Sequence, residues 1–233
     1  MESFRANRLE LCAALELGGL TPTVGLLSTI RRHCSKSVDI RCMLRCRDGD
    51  FVYTDTELTT MLADMQLLRA HGASGFVFGA LNPDGSVHEA ACDRFVKDAQ
   101  PLPVTFHRAI DVCANWARAL TVIRSLGFTR VLSSGQAATA VEGIDTLQQM
   151  LIAAEDSIVI VAGSGVADHN VIQLASIGVS EFHSSASIPL FRPCPPTQGT
   201  IKMGQCSTLT SRKVTSLEKV RAIRAALDML TFL

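Results

Sequence analysis

The chain has 233 residues, with 22 basic and 22 acidic side chains and a mean hydropathy of +0.25. Its content of 47% hydrophobic and 19% charged residues can fill a large core and is not typical of disordered chains. Because the charges balance, no net field attracts DNA, RNA or an acidic membrane, and we predict neither a nucleic-acid nor a membrane partner.

Short β-branched runs alternate with longer amphipathic segments along the chain. Strands are predicted at 8–12, 39–45, 75–81, 103–109, 130–135, 157–163 and 181–186. Helices are predicted near 23–34, 55–72, 88–99, 115–127, 141–155, 167–178 and 214–231. This alternation predicts an α/β fold, a single parallel (β/α) TIM-type barrel over residues 1–233 with seven strands. Residues 187–213 are rich in Pro, Ser, Thr and Gly and are predicted to form an irregular loop.

Polar residues recur on one face of several predicted strands, since residues two apart in a strand share a face. The pairs are Glu10 and Cys12, Arg45 and Arg47, Thr105 and His107, and Glu181 and His183. We expect them to converge inside the barrel near the carboxyl ends of the strands, where barrel active sites lie. Burying ionisable groups without partners is costly, so the alternative is an interior ion-pair network without a chemical role.

Two loops are suited to binding an anion. SSGQ (133–136) and AGSGV (162–166) each follow a predicted strand and precede a helix. Backbone N–H groups in such loops can hold a phosphate or a carboxylate. Phosphate sites in these barrels commonly follow the late strands, which favours a small anionic ligand. The alternative is that the glycines only end the strands.

The start of the chain carries no secretion signal, and no apolar run approaches the roughly 20 residues that cross a bilayer. We therefore expect a cytoplasmic protein whose eight cysteines remain thiols. The cysteines do not form paired C-x-x-C modules, so a structural zinc site is not expected.

Several segments together resemble one known family. They are ELCAALELGGLTP (10–22), RCRDGDFVY (45–53), PLPVTFHRAID (101–111), RVLSSGQ (130–136), AGSGV (162–166) and EFHSSA (181–186). In this order they resemble the CutC-type copper homeostasis proteins and cover the chain from about 8 to 231. The resemblance implies a cytosolic barrel that binds or traffics copper(I).

The sequence also departs from that family. Family members have a further strand and helix before the ELC strand, whereas only residues 1–7 precede it here. We therefore expect a barrel without the first βα unit, whose unpaired edges at 8–12 and 181–186 favour a homo-oligomer. In the family, the first strand usually carries a cysteine that would partner Cys12. The family's Arg-Pro-Arg-Gly-Gly-Asp turn reads RCRDGD (45–50), with both arginines retained.

Copper(I) favours thiolate and thioether ligands at a low coordination number. Cys12 is the candidate metal ligand because it faces the predicted interior, and His107 or His183 is the candidate for a second ligand. Cys42 and Cys46 are a poor pair, because four residues of a strand span about 13 Å. Cys34, Cys92 and Cys113 are predicted core residues, whereas Cys194, Met203 and Cys206 lie in the predicted loop as weak soft-metal contacts.

The same polar cluster is compatible with a barrel enzyme, a lyase or isomerase acting on a small phosphorylated or carboxylated substrate. The catalytic candidates are His107, Arg45, Glu10 and His183, and the substrate-binding candidates are Arg47, Arg108, Asp111, Ser134, Gly135, Gly163 and Gly165. Arg45 and Arg47 would clamp an anion, and His107 would serve as general acid–base. The third alternative is a degenerate, non-catalytic binding module.

Overall fold

A computed structural model describes residues 6–35, 37–191 and 211–230. Seven parallel strands follow one another in a single curled sheet, each paired with the next in chain order. They are β1 (Arg8–Leu11), β2 (Asp39–Met43), β3 (Gly75–Phe78), β4 (Val104–Phe106), β5 (Arg130–Ser133), β6 (Val159–Ala162) and β7 (Glu181–Phe182). The predicted α/β fold with seven parallel strands is therefore confirmed, and the curled sheet forms a half-barrel.

Helices connect the strands in the predicted alternation. They are α1 (Val24–His33), α2 (Asp55–Ala70), α3 (Glu89–Ala99), α4 (Trp116–Ser125), α5 (Ile144–Ala154), α6 (Val171–Ser176) and α7 (Leu217–Leu230). The start of α2 shows why they form where they do. Thr54 accepts a hydrogen bond from the backbone of Glu57, whose carboxylate accepts one from the Thr54 backbone in return. This capping box satisfies amides that the first helical turn leaves without partners.

The hydrophobic core lies between the sheet and its helices. The residues on the helix-facing side of the central strands, Ile40, Cys42, Phe76, Phe78 and Phe106 among them, are fully buried. Phe78 stacks on Phe95 of α3 with ring centroids 3.7 Å apart. The other face of each strand is left to line the interior of the barrel.

A chain of ion pairs fills part of that interior. Arg8 contacts Asp39 at 2.9 Å and Glu181 at 2.7 Å, and Arg130 contacts the same Glu181 carboxylate at 2.8 Å. Arg8, Asp39, Arg130 and Glu181 are each the first residue of their strand, so this network lies toward the amino ends of the strands.

Two residues expected at the carboxyl ends belong to the interior network instead. Thr105 accepts a hydrogen bond from Arg41 at 2.9 Å, and Arg41 pairs with Asp39 at 3.2 Å. Glu181 bridges Arg8 and Arg130. Both residues face the interior as predicted, but they begin or centre their strands rather than end them. For Thr105 and Glu181, the alternative prediction of an interior ion-pair network describes the structure better than a place in the functional site.

The sheet is open between β1 and β7. Among the described residues, no strand pairs with the outer edge of either, and both strands are half-buried where β2 to β5 are largely buried. Side chains meet across this seam, where Arg8 reaches Glu181 at 2.7 Å and His183 lies 3.8 Å from Glu10. The predicted unpaired edges are thus present, and the predicted homo-oligomer stays a prediction.

The segment 187–213 is not an irregular loop at its ends, contrary to the prediction. Strands β8 (Ser187–Phe191) and β9 (Ser211–Thr215) pair antiparallel, with Ile188 opposite Val214. Polar and proline residues hid this short alternation in the sequence. Residues 192–210, with Cys194, Met203 and Cys206, lie outside the described residues. No helix in the described ranges combines the length and the apolar character needed to span a membrane.

Candidate functional site

The residues that follow the strands gather at the carboxyl end of the half-barrel. Cys12 comes directly after β1, Arg45 shortly after β2, His107 after β4 and His183 after β7. In parallel sheets this end is where side chains of successive strands converge. The described part of the chain holds no group of three His, Cys, Asp or Glu side chains suited to a metal ion. Any metal bound here would need a smaller or softer set of ligands.

Cys12 is half-buried at the end of β1. Burial, and secondarily the charge of Glu10, raises the pKa of the Cys12 thiol to about 11. The thiol therefore keeps its proton at neutral pH unless a bound cation displaces it. Gly19 closes over Cys12, since a β-carbon added to this glycine would lie 3.3 Å from the Cys12 sulfur.

Arg45 is buried and binds backbone carbonyls with its terminal nitrogens. Its Nη1 donates to Leu17 O at 2.7 Å and Gly19 O at 3.3 Å, and its Nη2 donates to Gly49 O at 2.9 Å. Its guanidinium lies 5.1 Å from the centre of the Phe51 ring. Arg45 thus joins the loop after Cys12 to the turn after β2. Its Nε is buried and has no partner among the described residues.

Arg47 points to a different set of partners. It contacts Glu57 of α2 at 2.5 Å, Asp50 at 3.0 Å and the carbonyl of Val52 at 2.7 Å. The two arginines therefore do not form the expected clamp in this arrangement. The reason is that β2 ends at Met43, so the strand alternation that would align residues 45 and 47 does not extend that far.

His107 is almost completely buried, with 3% of its surface exposed. Burial, and secondarily the charge of Arg45, lowers the pKa of His107 to about 3. Its Nδ1 accepts the N–H of Ala109 at 3.2 Å, which leaves the proton of the neutral ring on Nε2. That Nε2 has no partner in the described ranges. The ring is held 4.7 Å from the Phe51 ring.

Gly79 makes room for this histidine. A β-carbon at position 79 would lie 2.8 Å from both Cε1 and Nδ1 of His107. Real β-carbons do not approach other atoms so closely, so any larger residue would move the ring. Neither Gly79 nor Phe51 was identified as a site residue from the sequence. Gly79 leaves room for the His107 ring and Phe51 packs against it, and neither residue carries an ionisable or ligand-binding group.

The SSGQ loop is already occupied by a carboxylate of the chain itself. Asp111 accepts from the Ser133 hydroxyl at 2.5 Å, from the Ser134 amide at 3.0 Å and from the Gln136 amide at 3.3 Å. Its side chain is only 5% exposed, and Arg108 contacts it at 2.7 Å. Two of the substrate-binding candidates, Arg108 and Asp111, thus pair with each other, and the loop does bind an anion. That anion is internal, so the loop is not open to a ligand.

The second glycine loop is less occupied. In AGSGV (162–166), the Gly163 amide donates to Ser133 O at 2.9 Å. The Gly135 amide of the first loop donates to the Ser133 hydroxyl at 2.8 Å. Asn170 closes the loop by donating to Gly165 O at 2.9 Å. In contrast, the amides of residues 164–166 make no hydrogen bond to any described residue. These three amides are the part of the predicted anion site that remains available.

The structure also shows a residue that sequence reasoning did not use. Met43 ends β2, is 4% exposed and lies on the same face of the strand as Arg41. A β-carbon at Gly19 would lie 3.6 Å from its Cε, next to Cys12. The same period-two alternation that selected Cys12 also places Met43 inside the barrel.

Comparison with known proteins identifies the family. The CutC family model matches residues 3–188. A copper homeostasis protein cutC homolog of Caenorhabditis elegans is 41% identical over 95% of this chain and 87% of its own length. The human cutC homolog is 38% identical over 94% of this chain and 81% of its own length.

Solved structures agree on the fold. The crystal structure of CutC from Streptococcus agalactiae superposes with a TM-score of 0.73 at 29% identity, over 76% of this chain and 87% of that one. A structure titled native KDPGal matches with a TM-score of 0.56 over 97% of this chain and 95% of that one, and its 12% identity shows the barrel fold alone. On the family match and the identities of its relatives, the chain belongs to the CutC family.

Proposed function

We propose that this chain acts in copper homeostasis by binding copper(I) as its cargo, with the Cys12 thiolate as a ligand. The names of the curated relatives, copper homeostasis proteins at about 40% identity, support the process. The observation that supports the site is the position of Cys12, half-buried at the carboxyl end of β1 and facing the interior. Cys42 and Cys92 are fully buried in the core instead.

Copper(I) suits this environment because it forms stable bonds with thiolates at low coordination number. Binding must displace the Cys12 proton, which the raised pKa of about 11 holds firmly at neutral pH. One proton is therefore released per copper ion, and apparent affinity rises about tenfold per pH unit below the thiol pKa. Reduced thiols belong to the cytoplasm, where we place the protein.

The test is a competition titration of reduced protein with copper(I) against a chromogenic copper(I) chelator. We expect one tightly bound ion per chain in the wild type and in Cys34→Ser, a matched control at another half-buried cysteine. Cys12→Ser should lose that binding. Equal binding by Cys12→Ser and the wild type would overturn the proposed site, and no binding by either would overturn the proposed function.

A second candidate function is supported by two observations at the carboxyl ends of β4 and β6. Among the described residues, the buried Nε2 of His107 has no acceptor for its proton, and the amides of residues 164–166 donate no hydrogen bond. Hydrogen-bond donors of this kind would suit a small phosphorylated or carboxylated ligand, as in a lyase or isomerase. His107 would then act as a neutral donor, because its pKa of about 3 keeps the ring uncharged.

Thermal unfolding in the presence of inorganic phosphate or citrate tests this second candidate. A ligand that binds only the folded state raises the melting temperature as its concentration increases. We expect the rise to be smaller in His107→Phe than in the wild type. Melting temperatures that do not respond to either anion would remove this candidate and leave the proposed copper function as it stands.

A further inference from the structure

We propose that the thioether of Met43 is the second sulfur ligand for copper(I) beside Cys12. The inference deepens the proposed function and depends on Cys12 binding copper. It concerns a different residue, on a different strand, and can fail without that function failing. Three features of the chain support it: the register of two strands, a shared contact over a glycine, and the charge of the resulting site.

The register of the sheet makes Cys12 and Met43 neighbours. In the ladder between β1 and β2, Glu10 is opposite Arg41 and Leu11 is opposite Cys42. The ladder ends at that pair, and the same register continued by one residue would bring Cys12 beside Met43. Adjacent parallel strands lie about 4.8 Å apart, and paired residues place their side chains on the same face. The two sulfur-bearing side chains therefore start from neighbouring positions on the interior face.

The ends of both side chains converge above Gly19. A β-carbon added to this buried glycine would lie 3.3 Å from the Cys12 sulfur and 3.6 Å from the Met43 methyl carbon. Gly19 has φ +88°, a conformation that side-chain-bearing residues rarely adopt. The loop thus places bare backbone over the two sulfur-containing groups, and Arg45 fixes that loop through the Gly19 carbonyl.

The charge of a Cys12–Met43 site fits its surroundings. One thiolate and one thioether around copper(I) give a neutral complex, which avoids the cost of burying an unpaired charge. A second thiolate would add a negative charge beside the carboxylate of Glu10, which lies two residues before Cys12 on the same face of the chain. The thioether carries neither charge nor proton, and Met43 is 4% exposed, so no water shell has to be removed from it.

The nearby histidines are less suited to this position. His107 follows β4, which is separated from β1 by β2 and β3, and its Nδ1 is engaged with the Ala109 amide. His183 lies across the open seam, 3.8 Å from Glu10, directly after a strand that does not pair with β1. Met43, in contrast, ends the strand bonded to β1, and the ladder that precedes it pairs the residues directly before Cys12 and Met43.

The experiment uses full-length protein labelled with selenomethionine, reduced and loaded with copper(I). X-ray absorption at the copper edge then reports a copper–selenium distance only if a methionine is a ligand. We expect this signal in the wild type and in Met65→Leu, a matched control at a fully buried methionine of α2. In Met43→Leu we expect the signal to disappear and the copper affinity to fall at least about tenfold.

Leucine conserves the volume of methionine, and such core exchanges usually cost less than about 1.5 kcal/mol, so Met43→Leu should fold. Circular dichroism checks this before copper is added. A copper–selenium signal that survives in Met43→Leu, or a wild type without one, would overturn the proposal. If Cys12→Ser still abolishes binding in that case, only the Met43 inference has failed and the copper function stands.

Discussion

The interior ion-pair network gives a sharp prediction at Glu181, where Glu181→Gln keeps the shape of the side chain and removes its charge. The carboxylate contacts Arg8 at 2.7 Å and Arg130 at 2.8 Å. These side chains are 20–26% exposed. Breaking a fully buried pair costs about 3–5 kcal/mol, and an exposed pair contributes up to about 1 kcal/mol. We therefore expect Glu181→Gln to lower the free energy of unfolding by about 2–3 kcal/mol.

Urea unfolding followed by circular dichroism measures this change, with the free energy extrapolated linearly to water. The matched control is Glu155→Gln, which loses a pair with Arg124 at 3.3 Å whose carboxylate side is 74% exposed. For that surface variant we expect a change within about 0.5 kcal/mol. The comparison separates the effect of the network from the general effect of replacing a glutamate.

The loss should also depend on pH. Burial opposes ionisation of Glu181, but hydrogen bonds from Arg130 and Arg8 outweigh it and hold its pKa below the usual range. A carboxylate of this kind stabilises the fold fully above its unfolded pKa of about 4.3, and the stabilisation is lost as pH falls through the folded value. The gap between wild type and Glu181→Gln should be full at neutral pH and narrow below about pH 4. A loss under about 1 kcal/mol, or a gap independent of pH, would refute the reasoning.

Three other variants test the packing and the internal carboxylate. Gly79→Ala should crowd His107 and lower the free energy of unfolding by about 1–3 kcal/mol, measured by urea titration; an unchanged midpoint would mean that the ring moves freely. Asp111→Ala leaves the buried Ser134 amide without its acceptor and should cost at least about 3 kcal/mol, seen in the same titration, whereas a loss near zero would contradict the internal-anion role. Thr54→Ala removes the helix cap of α2 and should cost about 1 kcal/mol, checked by thermal unfolding, with no effect expected on copper binding.

The period-two alternation in the sequence was sufficient to predict the seven strands of the parallel sheet and the side of the sheet on which their polar residues lie. It placed Cys12, His107 and Glu181 on the interior face without reference to any fold. The alternation could not predict how far along the barrel axis each of these residues lies. That depends on the stagger between neighbouring strands, which is why Glu181 was expected at the carboxyl ends and lies at the start of β7.

The hydrogen-bond partners that loops supply to the site residues were the hardest feature to predict from the sequence. Asp111 lies in a short turn after β4, 23 positions from the Ser134 amide that it binds. No local pattern connects the two, and both looked available to a ligand. Arg45 likewise looked free for a substrate, because its acceptors are backbone carbonyls, which every residue carries. The strand alternation did place Met43 on the interior face, but methionine is usually an apolar core residue, so it was not considered as a ligand.

The open seam between β1 and β7 gives the half-barrel a region of low local stability. Elsewhere around the sheet, neighbouring strands are joined by hydrogen-bonded ladders. Across the seam, contacts between the two edge strands are made by side chains, those of Arg8 with Glu181 among them. Local opening follows the weakest cooperative contacts, so amide exchange should be fastest in β1 and β7. Cys12 directly follows one of these strands, so opening of the seam would expose its half-buried sulfur.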